Sequence, residues 1–107
     1  MSPIDQRIQS LIDQNKILVF MKGTREIPMC GFSATVVQVL DHLAVPYETV
    51  DVLEDPEIRE GVKRFSNWPT IPQLYIDSKF VGGCDIIREM YESGELESLA
   101  RAAMTKA

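Results

Sequence analysis

Five consecutive apolar residues, Ile17-Leu18-Val19-Phe20-Met21, constrain the fold more than any other stretch of the chain. A strand with one wet face alternates apolar and polar residues, whereas a short unbroken apolar run reads as a strand covered on both faces. Such a strand needs helices above and below it, and the flanking sequence supplies them. Upstream, Ser2 followed by Pro3 and Asp5 marks a helix start, with an N-cap, Pro at the first helical position and an acid in the first turn. Ile4, Ile8, Leu11 and Ile12 then fall on one face of that helix. Downstream, a helix beginning after Cys30 carries Val36, Val39, Leu40 and Leu43 at the i, i+3, i+4, i+7 spacing. Val45-Pro46 breaks it, and residues 47–52 read as a second strand.

Asp55-Pro56 repeats the cap-and-proline start and opens a helix whose buried side is Ile58, Val62 and Phe65. Leu74-Tyr75-Ile76 and Lys79-Phe80-Val81 around Asp77-Ser78 read as a hairpin, although the strong Asn-Gly turn signal is missing. Gly82-Gly83 ends it. Asp85 is placed to cap a helix carrying Ile86, Ile87, Met90 and Tyr91, which Gly94 stops. Leu96, Leu99, Ala100 and Ala103 form a last amphipathic segment. The order α-β-α-β-α-β-β-α-α predicts an α/β fold: a four-stranded mixed sheet with helices on both faces. At 107 residues, with no repeat or linker, a single domain over residues 1–107 is expected.

Composition narrows the chemistry. Hydrophobic residues at 45% and charged residues at 25% are ordinary for a globular chain and exclude a disordered, collagen-like or coiled-coil one. Eleven basic against 16 acidic residues, a net charge of −5, disfavour nucleic acid as a partner. One His and two Cys exclude a zinc site built mainly on imidazoles and a four-cysteine site within one chain. The chain start lacks a basic stretch leading into an apolar one, so no secretory leader is expected. The longest apolar run is too short to span a bilayer, so no membrane partner is expected either. A cytoplasmic, reducing compartment with free thiols is the expectation; a processed organellar form would carry the same sequence.

Cys30 is the most informative position. It sits between the apolar strand and a helix start, in a segment rich in Gly, Pro and Lys. There a sulfur faces unpaired backbone N–H groups and the positive end of the helix dipole, which favour thiolate over thiol, and Lys22 can add positive charge. The competing reading is a buried structural Cys, but the strand-to-helix junction argues for a reactive one.

Lys22-Gly23-Thr24, Cys30-Gly31-Phe32-Ser33, Trp68-Pro69-Thr70-Ile71-Pro72 and Gly82-Gly83-Cys84-Asp85 together resemble the motifs of a monothiol, CGFS-type glutaredoxin. The resemblance covers nearly the whole chain in order and spacing. It implies a thioredoxin-like fold, glutathione binding and a [2Fe–2S] cluster shared between two subunits. The protein would then be a homodimer when cluster-bound, with apo iron–sulfur proteins as recipients. It also implies that Pro72 is cis and faces Cys30, leaving the backbone of Ile71 to pair with a peptide-like ligand. The residues alone favour a trans Pro at a strand start.

Glutathione carries two carboxylates, an ammonium and a thiol. The resemblance assigns Lys22 and Arg59 to the glycyl carboxylate, the N–H groups of Cys84 and Asp85 to the glutamyl carboxylate, and the Asp85 carboxylate to the ammonium. Lys63, one turn beyond Arg59, either assists or is simply solvated. Read alone, Gly82-Gly83 is as readily a hairpin end and helix cap as an anion site. Phe32 is either core or an exposed apolar lip beside the thiol, and the resemblance favours the lip. Trp68 reads as a packing residue, and His42 as solvated with no catalytic role.

Ser33 stands where a C-x-x-C motif would have its second Cys, so a mixed disulfide at Cys30 has no local resolving thiol. A second glutathione, or Cys84, would have to serve; whether Cys84 pairs with Cys30 is left open. An iron–sulfur cluster usually needs four sulfur ligands. Two Cys30 thiolates and two glutathione thiols would make four, so the resemblance makes Cys30 a cluster ligand and the protein a carrier. The stretch 25–29 is associated in that family with poor oxidoreductase turnover. The alternatives are a glutathione-dependent thiol–disulfide oxidoreductase that removes glutathione from proteins with Cys30 as nucleophile, and a redox-inert adaptor acting through Phe32.

Overall fold

In the computed structural model, which describes residues 1–105, the apolar run forms strand β1 (Ile17–Met21), buried at all five positions. Its neighbours are β2 (Glu48–Asp51), parallel to it, and β3 (Gln73–Ile76), antiparallel; β4 (Lys79–Gly82) completes the order β2-β1-β3-β4. Five helices surround this sheet: α1 (Pro3–Gln14), α2 (Gly31–Leu43), α3 (Pro56–Ser66), α4 (Cys84–Ser93) and α5 (Glu95–Thr105). The α/β fold with a four-stranded mixed sheet and helices on both faces is therefore the one present.

Alternation along β1 divides the core into two layers. Ile17, Val19 and Met21 pack with Leu40, Ile87 and Leu96 of α2, α4 and α5. Leu18 and Phe20 pack with Ile8 and Ile12 of α1 and Ile58 and Val62 of α3. Caps hold the helix starts as the sequence implies: Ser2 accepts from the Asp5 N–H and Asp55 from the Ile58 N–H. Asp55 also pairs with Arg7 at 2.8 Å, joining α3 to α1.

The registers place Met21 opposite Asp51, Phe20 opposite Gln73 and Leu74 opposite Gly82. One end of the sheet thus gathers the end of β1, the end of β2, the start of β3 and the end of β4. The N-termini of α2 and α4, which follow Cys30 and Gly83, are brought to the same end.

Some local expectations are corrected. The second strand spans 48–51 rather than 47–52, with Tyr47 and Val52 buried just outside it. Asp85 does not cap α4: the chain passes from β4 into the helix through one extended residue, so Gly83 is the N-cap and Asp85 lies in the first turn. Leu99 is 39% exposed and Phe65 only partly buried. No helix among the described residues is long and apolar enough to cross a membrane.

Ile8 is fully buried where α1 meets β1 and α3. Ile8→Ala is expected to cost about 2–5 kcal/mol, the range for truncating a core aliphatic. Urea denaturation checks this, as a lowered midpoint with an unchanged slope.

Candidate functional site

Between β1 and α2 the chain makes a tight excursion, and its shape is set by hydrogen bonds at its root. Gly23 has φ +90, and a Cβ there would lie 2.5 Å from the Ile27 carbonyl oxygen, so only glycine fits without displacement. The Gly23 N–H donates to Asp51 Oδ1 at 2.9 Å, which also accepts from the Leu53 N–H. The Met29 N–H donates to the Lys22 carbonyl, and Thr24 and Ile27 bond each other through backbone and hydroxyl. Farther out, the Arg25 guanidinium lies 4.3 Å from the centroid of the Tyr47 ring and donates to the Tyr47 carbonyl. The excursion leaves Ile27, Met29 and Phe32 exposed at 67%, 62% and 64%, so Phe32 is the apolar lip rather than core.

Cys30 is the N-cap of α2, and its sulfur accepts from the Ser33 N–H at 3.4 Å. Ser33 Oγ lies 3.3 Å from the same sulfur and accepts from the Lys22 N–H at 3.1 Å. With that acceptor role filled, the Ser33 proton is free to point at the sulfur of a thiolate. Ser33 itself is fully buried. Burial pushes the Cys30 thiol up, but the Ser33 side chain and N–H, the Phe32 N–H and the Lys22 charge together outweigh it, and its pKa falls below the ordinary 9.0.

A cleft of about 410 Å³ opens beside this thiol. Lys22, Arg59, Ile71, Pro72, Cys84 and Asp85, all expected at one site, line it together with Phe32. Cys30 does not itself line the cleft; it stands near enough for its charge to be felt at Cys84. Cys84 is pushed up by burial, by the neighbouring Asp85 and by Cys30, with Arg88 opposing. Both cysteines are free. The Ile71–Pro72 bond is cis. Lys63 is not simply solvated: it lines the cleft and pairs with Glu60 at 3.0 Å. His42 is exposed, as expected, with its ring edge-on to Tyr91.

The two glycines before α4 serve packing. A Cβ on Gly82 would lie 2.8 Å from the Ile86 side chain, and one on Gly83 would lie 2.9 Å from Trp68 Nε1. Trp68 sits 5.7 Å from Phe80, which continues through Tyr75 to Phe20 in the core. Trp68 is therefore a packing residue that also walls the cleft, with Pro69, Thr70 and Ile86 beside it. Because α4 has no side-chain cap, its first N–H groups face this end of the sheet without an internal partner of that kind. Among the described residues no group of three or more His, Cys, Asp or Glu could hold a metal ion.

Sequence reading missed Asp51 and Gln73 and saw Ser33 only as the absence of a second thiol. Gln73 had left a trace, a lone amide in the otherwise apolar run from Ile71 to Ile76. Asp51 left none that periodicity could detect.

A mixed sheet with a thiol of lowered pKa at a helix N-terminus and a cis-proline just before β3 defines a thioredoxin-like thiol protein. Comparison narrows the class. A family model described as Glutaredoxin matches residues 17–81. A monothiol glutaredoxin, ycf64-like, of Synechocystis is 55% identical over 92% of both chains. The chloroplastic monothiol glutaredoxin-S14 of Arabidopsis thaliana is 53% identical over 91% of this chain and 56% of its own. Among solved structures, reduced apo GrxS14 of poplar superposes with a TM-score of 0.84 at 48% identity, covering 96% of this chain and 94% of that one. A buckwheat glutaredoxin–glutathione complex gives 0.85 at 25% identity, covering 97% and 93%. The chain belongs to the glutaredoxin family, and its close relatives are monothiol glutaredoxins.

Since the thiolate is the nucleophile, alkylation of Cys30 should rise with pH to a half-maximum below 9.0. Ser33→Ala removes one hydrogen bond to sulfur while leaving the Lys22 charge, so the half-maximum should move up by roughly one unit, as for a charge-assisted bond. The pH profile of the iodoacetamide rate measures it.

Proposed function

We propose that this glutaredoxin binds glutathione in the Lys22–Asp85 cleft and carries a labile [2Fe–2S] cluster between two subunits, delivering it to apo iron–sulfur proteins. The observation that carries the reading is one thiol of lowered pKa per chain beside a cleft whose cations, Lys22 and Arg59, have no ion-pair partner within 4.0 Å among the described residues. Arg59 Nε is also buried without a hydrogen-bond partner, which a ligand carboxylate in the cleft would relieve. The glycyl carboxylate goes to Lys22 and Arg59. The glutamyl carboxylate goes to the open N–H groups of Cys84 and Asp85, and its ammonium to the Asp85 carboxylate. The backbone of Ile71, beside Pro72, pairs with the peptide. The glutathione complex of the buckwheat relative supports this ligand.

The cluster is cargo rather than a built-in group, and its donor set fits the chain. One Cys30 thiolate from each of two subunits leaves two of four sulfur positions for glutathione thiols. Ligands that are half small molecule make the cluster exchangeable, which suits transfer. The exposed Ile27, Met29 and Phe32 give the thiol an apolar surround in which a second subunit can exclude water. Both a cytoplasmic and an organellar setting fit, the chloroplastic relative supporting the second.

A deglutathionylating enzyme is the second reading, favoured by the lowered Cys30 pKa alone. Anaerobic reconstitution with iron, sulfide and glutathione, followed by visible absorption and sizing, separates the two. A coloured dimer that Cys30→Ser abolishes is the expected result; a colourless monomer with brisk disulfide turnover overturns the carrier reading. Lys22→Ala and Arg59→Ala should each weaken glutathione binding about tenfold, the loss of one charge-assisted contact. Titration calorimetry reads that loss.

A further inference from the structure

We infer that Gln73 is the positioning residue for the cleft wall, holding residues 68–72 in the shape that presents the Ile71 backbone to ligand. This rests on the glutathione reading above and extends it to a residue that does not line the cleft. Five consecutive wall residues, 68–72, contain two prolines, so two of their five backbone nitrogens have no N–H to donate. Such a segment cannot fix itself by its own ladder. The tether comes from the side: Gln73 Nε2 donates to the Trp68 carbonyl at 3.0 Å and to the Thr70 carbonyl at 3.1 Å.

Both acceptors are carbonyls, so only the NH₂ end of the amide can face them, and the side-chain orientation is fixed by chemistry. The cost is visible on the other end. Gln73 is fully buried and its Oε1 has no partner. An apolar residue of similar volume would avoid that orphaned acceptor, so what the amide provides is the pair of donated bonds. By turning the Trp68 and Thr70 carbonyls inward, Gln73 leaves the intervening side chains and the Ile71 backbone on the cleft side. Its own backbone is locked as the first residue of β3, opposite Phe20, so the tether is anchored to the most buried strand of the fold.

The test compares wild type, Gln73→Glu and Gln73→Met in the full chain. Three readouts are used: titration with reduced glutathione, the pH profile of Cys30 alkylation, and amide hydrogen exchange. In either folded variant, glutathione affinity is expected to fall about tenfold, the loss of two neutral hydrogen bonds that order the wall. Exchange at Thr70 and Ile71 should rise by a similar factor, while the Cys30 profile and exchange within α2 stay at wild-type values. A shared loss, with the Cys30 profile moving too, would mark Gln73 as a general stability residue and overturn the inference. Unchanged exchange and affinity overturn it equally. Failure of the wild type to bind glutathione defeats the ligand reading alone, since the exchange at Thr70 and Ile71 still decides whether Gln73 positions the wall.

Discussion

β1 can be satisfied only in the middle of a sheet with helices on both sides, and the position of the chemistry follows from that one requirement. Its parallel partner β2 is reached through α2, so α2 must begin at the end of β1 where the chain leaves the sheet. Its antiparallel partner β3 begins at that same end, and the hairpin returns β4 to it before α4 starts. Two helix N-termini, a proline-interrupted segment and the ends of β1, β2 and β4 therefore meet without any residue being placed there individually. Cys30 and Cys84, 54 positions apart in sequence, come near enough to interact because of strand directions.

The same end of the fold holds two thiols shifted in opposite directions. Cys30 and Cys84 both lie at helix N-termini, yet one is pulled down and the other pushed up. The helix dipole, worth typically about 0.3–1 kcal/mol, does not decide between them. What differs is the local hydrogen bonding: Cys30 has Ser33 Oγ and two N–H groups on its sulfur, whereas Cys84 faces the Asp85 carboxylate and the charge on Cys30. Ser33 links this to the sheet. Its oxygen is held by the N–H of Lys22, directly after β1, so the state of the thiol is tied to the register of the most buried strand.

Element types and order were legible because burial imposes periodicity: five apolar residues for β1, an i, i+3, i+4, i+7 stripe for α2, and caps at Ser2 and Asp55. The candidate site was legible at Cys30 and Lys22, which local reasoning reaches, and at Arg59 and Asp85, which a resemblance supplied. What stayed hidden shares one physical character. Ser33, Asp51 and Gln73 act through hydrogen bonds to backbone groups distant in sequence or in a loop of no fixed period; hydropathy marks Gln73 only as a lone amide in an apolar run and carries no trace of the other two. The glycine pair was legible in part: its place at a hairpin end and helix start could be read from residue type, but Ile86 and Trp68 occupying the space a Cβ would need could not.

Net charge and local charge also pull apart. A chain at −5 repels anions at long range, but screening limits that repulsion to roughly 10 Å at 0.1 M salt. Inside the cleft the cations decide, and they are not equivalent. Lys63 already has Glu60 at 3.0 Å, so an arriving carboxylate competes with a carboxylate in place. Lys22 and Arg59 face no such competitor within 4.0 Å among the described residues, and Arg59 holds a buried Nε that no protein acceptor meets. An anionic peptide docking on these two gains charge-assisted bonds without first breaking internal ones. On the proposed glutathione reading, a small anion fits within these cationic contacts, whereas a polyanion spread beyond the cleft also meets the acidic surface.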